Sequence, residues 1–538
     1  HVSTIKDGRN GYASAGATES IDRFLELTAD YSRAFGDHRF SVVAGYGYQE
    51  NERFESWLQN WDFPTDVFGY SNISLGKALQ EGKATMGGSR SESNLISFFG
   101  RATYSFADKY LLLASLRYEA ANQLYGAEKP WGAFPAVSVG WKISQEDFMR
   151  DLHFIDNLKL RAGYGVTGNP PNSNFLGVAL LNYADYYLIN GNWIRTLTPY
   201  QNPNPYLRWE EKKELNIGLD FAVLNNRVYG SIDFYNRRID GLLYDYQVPS
   251  PPNLYTSTRA NVGVMENKGL EIDLSIVPVQ SKDFSWTTQF LYSTNENRLV
   301  KLSNDLYSLS SNYFTTGSTG VPIQTFTHIV EIGKKVGDFY GYKVIDMSDD
   351  GYWIYADKDG KPVPYNQFNR GFDDKQVLGN GVPKWHLGWN NNLRYKNFDM
   401  GITMRGSFGF QILNFQRMYY ENTGDDRYNR MKSAYDKIYG KAVLNKNVPL
   451  EFNSHYVEDG DFWKIDNISL GYTVSLPAAA KKYVQAARVF VSSLNTFIIT
   501  GYNGIDPEVN WSGLNPGNDD RDKYPTVRTF TLGLNVTF

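Results

Sequence analysis

Apolar and polar residues alternate with a period of two through much of this chain, most cleanly at the C-terminus. Phe530, Leu532, Leu534, Val536 and Phe538 fall on one face of a strand, and Thr529, Thr531, Gly533, Asn535 and Thr537 on the other. Leu215, Ile217, Leu219 and Phe221 alternate with Asn216, Gly218, Asp220 and Ala222. Leu270, Ile272, Leu274 and Ile276 alternate with Glu271, Asp273, Ser275 and Val277. Phe398, Met400, Ile402 and Met404 alternate with Asp399, Gly401, Thr403 and Arg405. About fifteen segments read this way. The apolar faces suit lipid. The other faces carry charges that need water, since an Arg or Lys on the lipid face costs roughly 2–4 kcal/mol near the midplane. The expected fold is all-β, a transmembrane antiparallel β-barrel, with the row Phe530 to Phe538 serving closure and assembly.

The connections alternate as well. Short turns are expected at Gly36-Asp37, Ala107-Asp108, Asn225-Asn226, Gln280–Asp283 and Lys396-Asn397, with longer ones near 144–156 and 477–486. Long connections are expected near 51–91, 119–132, 166–211, 237–267, 296–384, 407–460 and 496–525. Short turns on one side and long loops on the other distinguish outer-membrane barrels from sandwiches and propellers. The first strand, near 21–34, would descend as the last one does. An odd strand count cannot make a closed up-and-down barrel with both termini on one side, and an open edge in lipid leaves backbone groups unpaired. Residues 1–538 therefore read as part of a barrel, with further strands expected upstream. His1-Val2-Ser3-Thr4, lacking Met and a signal sequence, agrees with that expectation.

Composition narrows the classes. No run of about 18 apolar residues is present, so no transmembrane helix is expected. The net charge of −4 gives no electrostatic argument for nucleic acid. With no Cys, disulfides, thiolate metal sites and cysteine nucleophiles are excluded. Aromatics reach 15% of residues, led by 39 Tyr, and rings with one wet edge gather at membrane interfaces.

Motifs for bond chemistry are weak. Gly163-Tyr-Gly165-Val-Thr-Gly168 matches a dinucleotide fingerprint, but Asn169-Pro170-Pro171 follows where a helix is needed. The glycines are expected to let a strand bend into a loop. Asp357 and Asp359, with Gly360, faintly suggest a cation loop, but the spacing fits a hydrated acidic turn better. None of the six His sits in a hydrolase or zinc motif, so no catalytic residue and no cofactor are expected. The aromatics of the long loops are the candidate substrate contacts: Tyr183, Tyr186, Tyr187, Trp193, Tyr307, Tyr313, Trp353, Tyr419 and Tyr420. Flat rings stack on sugars or cover peptide backbones at low entropic cost, and they also pack loops against each other.

Several stretches resemble the SusC/RagA family of TonB-dependent outer-membrane transporters of Bacteroidota. They are Phe106-Ala-Asp-Lys-Tyr-Leu-Leu-Leu-Ala-Ser-Leu-Arg117, Phe134-Pro-Ala-Val-Ser-Val-Gly-Trp141 and Leu158-Lys-Leu-Arg-Ala-Gly-Tyr-Gly-Val-Thr-Gly-Asn169. Further on come Asn261-Val-Gly-Val-Met-Glu-Asn-Lys-Gly-Leu-Glu271, Leu470-Gly-Tyr472, Asn495, Gly504-Ile-Asp-Pro-Glu508 and Tyr524-Pro525. The chain departs from the family pattern at Tyr118-Glu-Ala-Ala-Asn-Gln123 and in the Asp- and Gly-rich run Asp349-Asp350-Gly351-Tyr352-Trp353, both at or near outer loops. The resemblance implies an integral protein of the bacterial outer membrane with a plugged barrel of about 22 strands. It implies a plug domain and a TonB-contacting segment upstream of His1, active import of a glycan or oligopeptide, and a SusD-like surface lipoprotein as lid. By analogy with relatives, the loops at 166–211 and 237–267 would hold that lid. The second reading is a passive porin or a TonB-dependent receptor for a metal chelate. An outer-membrane hydrolase stands further back, with no motif in its favour.

Overall fold

The computed structural model describes residues 5–6, 9–68, 71–303 and 311–538. Fifteen strands form one continuous antiparallel sheet, ordered along the chain. They are β1 (Tyr12–Phe35), β2 (His38–Trp61), β3 (Thr85–Phe106), β4 (Tyr110–Ala121) and β5 (Trp131–Lys142). Then come β6 (Ile155–Asn169), β7 (Glu210–Val223), β8 (Val228–Gln247), β9 (Ser257–Gln280) and β10 (Phe284–Lys301). The last are β11 (Trp385–Tyr395), β12 (Phe398–Phe408), β13 (Phe462–Thr473), β14 (Ala486–Thr500) and β15 (Thr529–Thr537). Each strand pairs with its sequence neighbours, and β1 and β15 are the two edges.

The register carries one apolar face from strand to strand. Leu160 of β6 lies opposite Leu219 of β7, Leu219 opposite Ile232 of β8, and Ile232 opposite Ile272 of β9. This row belongs to the outward face, on which large apolar side chains stand exposed, among them Leu160 at 41%, Ile232 at 38% and Leu532 at 76%. In water such a surface would be a severe liability; in lipid it is the solvated face. Two aromatic girdles bound it. On the long-loop side Tyr46, Phe98, Trp131 and Tyr118 stack in succession, with Tyr118 and Trp131 centroids 4.7 Å apart. On the short-turn side Phe35, His38, Phe106 and Tyr110 do the same, His38 and Phe106 at 4.9 Å. Tyr46 and His38 are eight residues apart on β2. At ~3.3 Å per residue and a tilt of about 40° the band between the girdles is roughly 20 Å tall, close to the belt of an outer-membrane barrel.

Beyond the long-loop girdle the outward row turns charged. Lys213, Arg238, Glu266 and Arg298 follow one another across β7–β10. Their pairs, such as Arg238 with Glu266 at 2.8 Å, mark where the wall leaves lipid for water. The strands continue well past this line. The long connections are accordingly shorter than the alternation suggests: 62–84 in place of 51–91 and 248–256 in place of 237–267. The others run 122–130, 170–209, 302–384, 409–461 and 501–528, close to expectation. All short turns lie at the opposite end, including 143–154 and 474–485.

The inward face is polar. Arg161 on β6 donates to Asp220 and Asn216 on β7 (3.1 and 3.2 Å) and to Asp233 on β8 (2.6 Å). Gln289 on β10 donates to both oxygens of Asp273 on β9 at 2.9 Å. Charges tie neighbouring strands together across the wall, which is affordable only where a wet lumen solvates them.

Candidate functional site

The mass of the molecule outside the wall sits at the long-loop mouth. Loops 302–384, 409–461 and 501–528 fold into a single layer with its own cores. Phe339 from the first packs with Leu413, Phe415, Met418, Tyr419, Phe452 and Tyr456 from the second. Val344, Met347, Trp353, Tyr355 and Phe368 pack with Leu444 and Val448. A three-stranded sheet joins Gln411–Asn414 to Val457–Asp459 and to Asn518–Asp519 of the third loop. His328 reaches between loops, its Nε2 2.8 Å from the Pro516 carbonyl and its Nδ1 2.7 Å from the Thr327 hydroxyl. Burial pushes His328 down to about 4. His455, packed on Trp353 at 5.0 Å, is also pushed down to about 4 by burial, helped by the adjacent Arg417.

The layer is fastened to the wall by residues of the Gly504-Ile-Asp-Pro-Glu508 motif. The Glu508 carboxylate accepts from Lys464 Nζ at 2.5 Å and from Arg405, reaching the lumenal faces of β13 and β12. Asp506, almost fully buried, accepts the Glu508 amide at 3.0 Å and the Thr526 hydroxyl. Lys523 Nζ donates to the carbonyls of Asp506 and Glu508 at 2.8 and 3.1 Å. Asn495 holds a positive φ of 51° at an irregular point of β14, and its side-chain amide donates to the Val527 carbonyl at 3.0 Å. The motif letters were legible in sequence; the partners Arg405 and Lys464 were not, because they lie tens of residues away on other strands, nor was Lys523, whose contacts come from the fold-back of the loop itself.

The second unit at the mouth is built from loops 170–209 and 248–256. Asn202 donates to the carbonyls of Tyr255 and Ser257 at 2.7 and 2.8 Å, and the Tyr255 hydroxyl donates to Pro199 at 2.6 Å. Asn261, of the Asn261-Val-Gly motif, donates to Arg208 and accepts its amide, both at 2.9 Å. The two stretches expected to act together are thus one structure. From it rises a hairpin, Leu181–Ile189 paired with Asn192–Pro199, which forms a separate two-stranded sheet.

The candidate contact residues divide between these units. Tyr183, Tyr186, Tyr187 and Trp193 stand on the hairpin, each 58–68% exposed. Arg195 lies over the Tyr183 ring at 5.3 Å. Trp353 and Tyr419 are both 1% exposed and belong to the interior of the loop layer, where they hold loop to loop rather than facing an open mouth. The Tyr419 hydroxyl donates to the Thr319 carbonyl at 2.5 Å. Tyr313 is half-buried and stacks on Phe372 at 5.3 Å; Tyr420 meets Tyr428 edge-on at 5.6 Å. Tyr307 lies outside the described residues. Asp357 accepts the amides of Asp359 and Lys361 at 2.9 and 2.8 Å, the geometry of a turn between two short strands. Among the described residues no group of three or more acidic or His side chains converges on a possible metal position. The glycine-rich run ending at Gly168 is strand β6; a Cβ at Gly168 would lie 2.2 Å from the Phe134 ring, which packs there with Trp209.

A lipid-facing antiparallel wall with a wet lumen and a large outer loop layer defines an integral outer-membrane β-barrel. Residues 3–475 match the family model described as TonB dependent receptor-like, beta-barrel, and the chain belongs to that family. It is 30% identical to TonB-dependent receptor P3 of Formosa agariphila, over 99% of the chain and 54% of that protein. It is 28% identical to TonB-dependent receptor SusC of Bacteroides thetaiotaomicron, over 100% of the chain and 52% of SusC. The RagAB peptide transporter structure superposes with a TM-score of 0.82 at 22% identity, over 98% of this chain and 56% of that one. The chain spans about half the length of these relatives. The SusC/RagA resemblance read from the motifs agrees with these matches.

Proposed function

We propose that this chain is the barrel wall and recognition layer of a TonB-dependent importer of a large nutrient, an oligopeptide or a glycan. Import is active: TonB acts on a plug domain, and the wall performs no bond chemistry. A SusD-like surface lipoprotein caps the mouth. The observation that carries this reading is the outer layer itself. Three loops with hydrophobic cores of their own, beside an exposed aromatic hairpin, far exceed what barrel closure needs. The tyrosines and Trp193 of the hairpin, with Tyr313 and Tyr420, are the contact residues we favour for substrate or lid.

The plug and additional strands belong to the same proposal. β1 and β15 each have one partner within the sheet. In lipid, their outer rows of amides and carbonyls need strands to pair with. RagAB is a peptide transporter, which supports the peptide reading; the glycan reading stands beside it on the aromatic rings of the hairpin, which can stack on sugar faces.

The test is uptake by cells carrying or lacking the intact gene, with and without functional TonB. Labelled oligopeptides and oligosaccharides are supplied separately. TonB-dependent accumulation of one class supports the proposal. Accumulation independent of TonB favours a passive porin, and accumulation of a metal chelate alone favours a receptor of the other kind.

A further inference from the structure

The lipid-facing belt is not uniform. On β3–β6, just inside the short-turn girdle, a groove of about 430 Å³ opens on the outward side. Its walls are Tyr104, Leu112, Tyr110, Trp141 and Leu160, and the smaller Val139 and Ala162 lie next to them. The register places these residues on one face: Tyr110 opposite Trp141, Trp141 opposite Leu160, and Val139 opposite Ala162. The volume is within the roughly 300–1,000 Å³ of ligand pockets, and the lining is apolar as an acyl chain requires.

The end of the groove nearest the turns is polar and built. Glu146, in the turn after β5, accepts from the Tyr110 hydroxyl at 2.7 Å, the Trp141 indole at 2.9 Å and Lys109 Nζ at 3.2 Å. These bonds turn the wet tips of both rings toward the turns and leave their apolar faces on the groove. They also set one cation and one anion side by side at the level where lipid headgroups begin. The Lys109 ammonium has three donors, of which Glu146 takes one.

We propose that this groove is a specific site for one zwitterionic phospholipid of the leaflet on the short-turn side. An acyl chain lies between Tyr104 and Leu160 over Ala162. The phosphate sits beside Lys109 and the headgroup ammonium beside Glu146. Both signs of charge at the rim fit a phosphoethanolamine headgroup better than a purely anionic one.

The intact protein, purified from outer membranes and exchanged into detergent, is titrated with palmitoyl-oleoyl phosphatidylethanolamine and read by native mass spectrometry. One lipid should bind about tenfold more tightly than those that follow. Ala162→Phe, which fills the groove, should abolish that first site. Lys109→Ala should weaken it, and Ala44→Phe, on the same belt away from the groove, should leave it unchanged. A phosphatidylethanolamine with a photoreactive acyl chain should label peptides containing Tyr104–Leu112 and Val139–Ala162 in the unmodified protein, a readout independent of any variant's assembly. Equal retention in wild type and Ala162→Phe, or label spread evenly around the belt, overturns the proposal.

Discussion

At Thr288 and Asn391 the lipid-facing wall carries two polar side chains, opposite each other on β10 and β11 and nearly buried. Trp286 donates its indole N–H to Asn391 at 3.1 Å, and Trp389 donates to Thr288 at 2.8 Å. Four polar groups are satisfied within the belt, as hydrocarbon demands. Asn391→Leu is expected to destabilise the barrel by about 1–3 kcal/mol, because the Trp286 N–H loses its acceptor in a place without water. A urea unfolding series in detergent, followed by tryptophan fluorescence, measures it; an unchanged midpoint would refute the pairing. The two depressed histidines give a residue-scale prediction of a different kind. His328 and His455, near 4 in the folded loop layer, return to the ordinary value near 6.5 when the layer unfolds. The unfolded form then binds more protons between those values. Stability of the layer is therefore full above about pH 6.5 and falls as pH drops toward 4, by about 3 kcal/mol for each histidine. Asp338 and Asp519, pushed up by burial, act oppositely and reduce the net loss. Limited proteolysis of loops 302–384 and 409–461 should accelerate from pH 7 to pH 4.5, and His328→Gln should flatten that dependence.

The elements were legible in sequence where one face met lipid. Leu215 to Phe221, Leu270 to Ile276 and the final row Phe530 to Val536 all lie on the outward face, in register with their neighbours. They were not legible where a strand rises past the membrane. There both faces touch water, and the alternation that lipid enforces disappears: Glu52, Arg53, Glu55 and Arg90 of the expected loop 51–91 sit on continuous strands. The same loss of contrast hid the short strands of loop 302–384, whose pattern is set by a local core around Phe339 and Trp353 rather than by the bilayer. Of the site, the letters of the motif around Glu508 were readable, but not that its carboxylate sits between Arg405 and Lys464. Glu508→Gln is expected to loosen the last outer loop by roughly 3 kcal/mol, since the almost wholly buried Lys464 loses its 2.5 Å carboxylate partner and is left with Asp466 at 3.8 Å. Hydrogen exchange in residues 501–528 should rise while β12 and β13 stay protected. At the end of β15 the expectation is about assembly. Phe538 stands 81% exposed and completes the apolar row, so Phe538→Asp should lower the amount of protein in the outer membrane without changing uptake per molecule inserted. Normal membrane levels would remove Phe538 from that role.

For the whole molecule the question is how a wall with two sheet edges and a crowded mouth could serve the import proposed for it. The loop layer over β10–β15 is tied down by Glu508, His328 and shared cores, and it behaves as a fixed rim. The unit over β6–β9 is different: its hairpin Leu181–Pro199 has no neighbour in the sheet, and it presents Tyr183, Tyr186, Tyr187, Trp193, Leu188 and Ile194 to solvent. So large an exposed apolar element is the surface to test for the lid proposed above. Its base is tied down by Asn202, Asn204 and Asn261, so the lid proposed above, if seated on the hairpin, would be held from this side of the mouth. Replacing residues 181–199 by a short Gly-Ser turn should leave the barrel inserted, because the strands β6 and β7 pair directly below it. The same change should abolish recovery of a surface lipoprotein with the detergent-solubilised barrel, which the unaltered protein is expected to retain. If the lipoprotein still co-purifies, the attachment lies in the fixed rim. If neither form retains one, the exposed rings serve substrate capture alone and the receptor works without a lid.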